Sequence, residues 1–456
     1  MKTLLKILLF FKSAIIVDVR KFYFCGIFFF TAAFLSLQSC KEVDGVRPEE
    51  PFVTSGASIL TINDDAVPSS IKDMIFQAPG SYISTSSPLY NSNLPLIIIP
   101  FQYESEFPWN SFVNKEVIRE NFFARGNGSV RDYFYENSWG QFNLEEGFIA
   151  DVVMLDNNGA YYGVGQPGTD GTRNPALHQE ICQKSNVDWS AFDANGNNII
   201  EENEAQVVFM ASVGGGGACR PSSVTVQNHS GAYTINESFV FIDCKRNADP
   251  NKGIKPIEYN FSTIWHELAH GIFHLPDRYS DYCGSGKTGK YDIMSDNCSW
   301  RHMNIYDKMK LGWIRPKIIG PGTVARAYTF PAIQVTPAAL ILLPTSPLIP
   351  SGDEYWILEN RFKPSSPFDF DRDIPESGMA IWWVDEVSDQ VSLVDAREPS
   401  ERPQLIAHDP YDDQIGVAFK HQTGDSLKVY TLMPKGVGPR IFRAISPEGT
   451  EMRGEF

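Results

Sequence analysis

The residues best suited to chemistry lie in the segment Trp265-His266-Glu267-Leu268-Ala269-His270. Side chains four apart share one face of a helix, so both imidazoles can reach a single metal ion at about 2.0–2.1 Å each. Glu267 adjoins the first histidine and points at the remaining coordination position. There a carboxylate can take a proton from water that a metal has acidified. The spacing predicts peptide-bond hydrolysis by metal-activated water, with Zn2+ as the metal and Glu267 as general base.

A catalytic zinc needs a third protein ligand and an open fourth position. Downstream come Gly271-Ile272-Phe273-His274-Leu275-Pro276-Asp277-Arg278-Tyr279. His274 continues the four-residue spacing, but on a straight helix it would lie about 12 Å along the axis from His266. Gly271 is a candidate helix end, and Pro276 forces the chain out of helix. A chain that turns back there can present Asp277, so Asp277 is the preferred third ligand and His274 the alternative.

These residues resemble the immune inhibitor A metallopeptidases, which carry His-Glu-x-x-His, then Gly-Leu-Pro-Asp with the aspartate as a zinc ligand, then a tyrosine. Leu275-Pro276-Asp277-Arg278-Tyr279 is similar to the second half of that pattern. Ser129 to Gly140 resembles the family's early helix and turn, and Tyr291-Asp292-Ile293-Met294-Ser295 its Met-turn, with Met294 under the metal. Lys310-Leu311-Gly312-Trp313 resembles the end of its catalytic domain, and Glu359-Asn360-Arg361 with Gly378 to Asp385 its following β segment. The resemblance implies an α+β fold: a metzincin-like zincin catalytic domain with a mixed sheet and an active-site helix, followed by a β-rich domain. This chain departs from the pattern by one extra residue between His270 and Leu275, and by His274 where the family has glycine. An insertion of this kind resembles the immunoglobulin A peptidases and raises a narrower alternative, a peptidase restricted to glycosylated or immunoglobulin-like proteins. A third reading is a metal-stabilised surface protein that binds without cutting. Asp296 stands two residues after Met294, where some related enzymes keep a tyrosine, so no tyrosine is assigned to oxyanion stabilisation.

A second metal signal is the run 193–204. Asp193, Asn195, Asn197, Glu201 and Glu204 fill positions 1, 3, 5, 9 and 12 of an EF-hand-like loop, with Ile200 at the apolar position 8. Asn198 stands at position 6, where the turn needs positive φ and asparagine is the next best residue after glycine. Ca2+ in a rigidifying role is the expectation.

Several features concern where the chain works and how it is divided. Lys21 precedes the apolar run Phe22–Leu37, which ends in Leu37-Gln38-Ser39-Cys40. A basic start, an apolar stretch and a small residue before a cysteine read as a lipoprotein signal, with Cys40 the acylated mature N-terminus. Export, and anchoring to the outer membrane or cell surface, are expected. The formal charge is −16, and residues 1–40 contribute five of the basic side chains against one acidic one, so the rest is more acidic still. Such a body repels phosphate backbones and excludes nucleic acid as a partner, leaving protein or peptide substrates. Residues 41–93 read as a tether and loosely folded lead-in, 94–316 as the catalytic domain and 317–456 as the β-rich domain. Leu96 to Pro100 and Val207 to Met210 read as buried strands, and Ser129 as a helix cap. Val207 to Val213 is also a candidate for pairing with an extended substrate. Gly214 to Gly217 suits a loop beside the cleft. Cys219 with Cys244 and Cys283 with Cys298 are the pairings expected of an exported chain. Gly284 to Thr288 lacks the glycine of a phosphate loop and reads as a flexible loop, while His229 and His302 read as structural.

Overall fold

The structure is a computed structural model that describes residues 69–78 and most of 93–393, with interruptions that include 213–216, 244–260, 280–286, 320–326, 344–352 and 394–416; beyond these it describes the backbone of four strands between 417 and 455. The signal region with Cys40, and Gly214 to Gly216, His229, Cys244, Cys283 and Gly284 to Gly286, lie outside the described residues. Among the described residues no helix is long and apolar enough to cross a membrane.

In chain order the elements are α1 (Ser69–Phe76), β1 (Asn93–Gln102), α2 (Lys115–Phe123), α3 (Val130–Asn137), β2 (Asn143–Ile149), β3 (Val153–Met154), α4 (Gly159–Tyr162), α5 (Pro175–Lys184), β4 (Ile199–Glu201), β5 (Gln206–Ala211), β6 (Ala218–Asn228), β7 (Gly231–Asp243), α6 (Phe261–Phe273) and α7 (Ile305–Lys310). Ten strands follow: β8 (Lys317–Ile319), β9 (Ala327–Pro331), β10 (Ala339–Leu342), β11 (Glu354–Arg361), β12 (Gly378–Asp385), β13 (Gln390–Leu393), β14 (Val417–Lys420), β15 (Leu427–Thr431), β16 (Arg440–Ile445) and β17 (Glu451–Glu455). The chain is thus mixed α/β. A mostly parallel sheet of order β2-β1-β5-β7-β4 carries the site, and β6 pairs antiparallel on the far side of β7. The second sheet, β13-β12-β11-β10-β8, is mixed, because β8 runs parallel to β10.

The apolar runs in β1, β5 and β7 are continuous because both faces of this sheet are covered. Alternation then sorts the side chains. Leu96, Ile98, Val208, Met210, Val240 and Ile242 meet α6 and α3 on one face. Ile97, Ile99, Val207, Phe209, Phe239 and Phe241 meet Leu177 and Ile181 of α5 on the other. Being a fully buried strand between β1 and β7, β5 has no edge to offer. The expected pairing of Val207 to Val213 with substrate is corrected accordingly; β6 is the edge strand instead.

Helix α3 starts where its sequence signals it, with the Ser129 hydroxyl accepting the Asp132 N–H at 3.1 Å. Its Tyr133 ring stacks on Trp265 of α6 with centroids 4.3 Å apart and planes 3° from parallel. Helix α1 falls within the segment read as a loose lead-in, yet Ile75 is fully buried and its carbonyl accepts Lys310 Nζ at 2.6 Å. The apolar residues of α1, α7 and the second sheet share one cluster, built around Ile75, Tyr306, Ile341, Tyr355 and Trp382.

Candidate metal centre

Helix α6 divides its surface cleanly. Ile264, Leu268 and Ile272 with Trp265, Ala269 and Phe273 are buried, an apolar stripe at helical spacing. His266, Glu267 and His270 lie on the remaining arc of the helix. Gly271 lets the helix lie close to the sheet: a Cβ there would meet Val240 Cγ2 at 2.7 Å and Gln206 Oε1 at 2.8 Å.

The helix ends at Phe273. His274 adopts φ 57°, and the His274 and Leu275 N–H groups reach back to the carbonyls of His270 and Ala269 at 3.0 and 3.4 Å. This is a left-handed C-terminal turn, the conformation that favours glycine. Here a histidine takes it, and its Nε2 meets Glu202 Oε2 at 2.8 Å. The turn carries the His274 ring to Glu202, apart from the group that His266, His270 and Asp277 form. The same turn brings the chain back, and it delivers Asp277.

His266 Nε2 and His270 Nε2 lie 3.0 Å apart, and each lies 3.1 Å from Asp277 Oδ1. Among the described residues this is the group of three histidine, cysteine or carboxylate side chains whose ligand atoms all come within 4.8 Å of one another. Two ligands held about 2.05 Å from an ion at a tetrahedral angle lie about 3.3 Å apart, so the triangle has the size of a zinc tripod. Its chemistry agrees. His266 Nδ1 lies 3.1 Å from the Ile293 carbonyl, and His270 Nδ1 contacts the Leu275 carbonyl. A carbonyl only accepts, so both Nδ1 atoms carry protons and, in the neutral rings, both Nε2 atoms present lone pairs. Three acceptors facing one another, from buried His266, half-buried His270 and exposed Asp277, call for a cation, and the residues present fit one.

Glu267 is 7% exposed. Burial raises its carboxyl above the ordinary value, against the pull of His266 and His270. It faces Gly217, the residue before β6, where a Cβ would fall 2.4 Å from Glu267 Cγ. The four-glycine run thus ends on Glu267. In sequence, Gly217 is one of four consecutive glycines, with nothing to mark it as the one that meets Glu267.

Met294 is fully buried in a turn. Its carbonyl accepts the Arg278 N–H at 2.9 Å, and its own N–H reaches Asp292 Oδ1 at 3.2 Å. One residue that the motif reading left without a role is Tyr279. Its ring lies beside His266, with centroids 5.9 Å apart and planes at 30°. Burial and the neighbouring Asp277 carboxylate push its hydroxyl up to about 12.

The 193–204 run forms a closed loop, with Asn198 at the anticipated positive φ of 61°. The Asp193 oxygens accept the N–H groups of Asn197 and Asn198 at 3.0 and 2.9 Å, and the Glu204 oxygens those of Asn195 and Glu201 at 3.0 and 3.1 Å. Asn195 Nδ2 donates to Glu201 Oε2 at 3.1 Å, and Asn197 Oδ1 accepts the Ile199 N–H at 2.7 Å. Internal hydrogen bonds account for the loop's shape. Cys219 and Cys182 are free thiols, so the Cys219–Cys244 pairing is corrected, while Cys298 is disulfide-bonded to a partner outside the described residues. His302 is fully buried between Glu136 Oε1 at 2.7 Å and Lys308 Nζ at 3.0 Å.

No protein-family model matches the chain. It is 27% identical over 210 residues to the pre-pro-metalloprotease PrtV of Vibrio cholerae serotype O1, in strain M66-2 and in strain ATCC 39315 / El Tor Inaba N16961. The match covers 40% of this chain and 22% of the relative, so the chain spans about a fifth of the length of these curated proteins. The similarity supports a distant metalloprotease relationship.

Proposed function

We propose that the chain is a zinc endopeptidase of the immune inhibitor A type, with a metzincin-like catalytic domain over 94–316 and a β-rich domain over 317–456, exported and anchored through a lipid on Cys40. The observation that carries the reading is the convergence of His266 Nε2, His270 Nε2 and Asp277 Oδ1 within 3.1 Å of one another, next to buried Glu267. A zinc ion held by these three residues would supply a Lewis acid that polarises the peptide carbonyl and acidifies water. Glu267 then does the proton work. As the water oxygen bonds to the carbonyl carbon, its proton passes to Glu267; as the C–N bond breaks, Glu267 returns that proton to the leaving amine. A carboxyl raised by burial suits both tasks, because it binds and releases a proton nearer neutral pH.

The substrate is an extended segment of protein laid along the edge of β6. At the far end of that edge, Gln179 bonds both main-chain groups of Thr225 and Gln183 both of Gln227, at 2.6–3.3 Å. Those outward positions are thereby occupied by α5, and Pro221 lacks an N–H. What this leaves beside Glu267 for a guest strand begins at Gly217, with the Cys219 carbonyl already accepting Arg220 Nη1 at 2.8 Å. The acidic body speaks against nucleic acid as the guest. Casein cleavage by the purified protein and by its Glu267→Ala variant tests the reading: cleavage lost in the variant supports it, and unchanged turnover overturns it.

A further inference from the structure

The Asp277 side chain is 47% exposed, and the atoms it faces are two histidine lone pairs. Without a cation these three acceptors repel one another, so something other than their own contacts must hold the Asp277 loop in place. The structure offers the next residue. The Arg278 side chain is only 7% exposed, and its guanidinium donates to Asp307 Oδ1 of α7 and to the main-chain carbonyl of Asp389, both at 2.7 Å. Its backbone N–H donates to the Met294 carbonyl at 2.9 Å. The loop is therefore pinned to three separate elements within one residue of the carboxylate.

Two of these anchors close on each other. Asn304 Nδ2 bonds Asp307 Oδ2 and also Asp292 Oδ2, while Asp292 Oδ1 accepts the Met294 N–H. The third anchor comes from a distance of 111 residues along the chain, in the turn between β12 and β13. There Asp389 adopts φ 48°, a left-handed conformation that is strained for a non-glycine residue. That conformation aims its carbonyl at Arg278. The Asp389 carboxylate is itself held, accepting Tyr306 Oη at 2.8 Å.

From this arrangement we infer that Arg278 and the Asp389 turn are positioning residues for the third metal ligand, so that the second sheet is a working part of the metal centre. The inference rests on the zinc reading above and extends it: preorganisation of Asp277 comes from the β12–β13 turn, through Arg278. Orienting partners outside the ligand set are typically worth about 10–100-fold in metal affinity.

The test is zinc affinity of the full chain, by competition with a chromophoric chelator, alongside thermal unfolding of the metal-free protein. Arg278→Ala is expected to weaken zinc binding 10–100-fold, and added guanidinium ion to restore part of it, which no loss of global stability would do. Asp389→Val, which cannot hold positive φ, is expected to show the same loss. Asp389→Asn, which tolerates positive φ and keeps an acceptor for Tyr306, is expected to stay within about twofold of the parent. Parental zinc affinity in folded Arg278→Ala and Asp389→Val proteins would overturn the clamp and leave the zinc reading standing. Absence of zinc binding in the parent protein would overturn both.

Discussion

Replacing Gly217 by alanine tests whether Glu267 does the proton work. A methyl group at that position falls 2.4 Å from Glu267 Cγ, 2.6 Å from Thr263 Cγ2 and 2.9 Å from Glu267 Oε1. Carbon atoms settle about 3.5–4.0 Å apart, so the methyl and Glu267 must separate by about 1 Å. Helix α6 cannot supply that movement. Its other side is packed, with Gly271 already against Val240 and Gln206 and with Ile264 and Leu268 fully buried. The shift falls on the Glu267 side chain. Misplacing a catalytic group by about 1 Å costs about 100-fold, or about 2.7 kcal/mol of transition-state stabilisation. No ligand atom is touched, so zinc content and melting temperature should stay close to the parent. Steady-state kinetics on a fluorogenic peptide, with metal analysis of the same sample, read this out. A folded, zinc-loaded Gly217→Ala protein with parental kcat/KM would refute the assignment of Glu267 as the general base.

Other perturbations separate ligand from bystander. His274→Gly should keep full zinc and activity; relief of the left-handed conformation, about 1 kcal/mol, is set against loss of a one-third-exposed pair with Glu202 worth about 0–1 kcal/mol, so the net change in urea unfolding should be within about 1 kcal/mol. Trp265→Ala removes a fully buried ring stacked on Tyr133 and should cost about 3–5 kcal/mol in the same unfolding experiment. Burial opposes ionisation of Asp371, but the Arg361 guanidinium, with Nε 3.0 Å away, holds its carboxyl below the usual carboxylate range. Its folded pKa therefore lies below the unfolded one, so this stabilisation is present above about pH 4 and lost as the pH falls. Asp371→Asn should accordingly flatten the acid limb of a stability–pH curve, and an unchanged limb would contradict the assignment.

What was legible in the sequence follows from which physics is local. Helical spacing at His266, Glu267 and His270, the Ser129 cap and the apolar runs of β1 and β5 are properties of short segments, and they could be read directly. The turn that delivers Asp277 was legible only in outline. Pro276 announced that the chain must leave the helix, but the αL residue that reverses it is His274, and histidine signals that conformation far more weakly than the glycine it replaces in the resembled pattern. Strand order is not local either. Val207 to Met210 was recognisable as a buried strand, yet its place between β1 and β7, and the consequent exposure of β6, depends on pairings across the whole sheet. Lys308 and Lys310 show the limit most clearly. They lie in the last turn of α7, where lysines ordinarily face water and suit the helix dipole. Both are instead fully buried, against His302 in one case and Glu386 with the Ile75 carbonyl in the other. The clamp from Asp389 to Arg278 joins residues 111 apart, and no spacing rule reaches that far.

In the proposed function, His266, His270 and Asp277 together hold a zinc ion on which cleavage depends. The most direct test of this is zinc stoichiometry of the parent and of Asp277→Ala, measured on the samples assayed for casein cleavage with and without a chelator. About one zinc per parent chain is expected, with loss of that zinc in the variant and cleavage that disappears in the variant and in the presence of chelator. Full zinc in folded Asp277→Ala, or cleavage by the parent that a chelator leaves untouched, would contradict it.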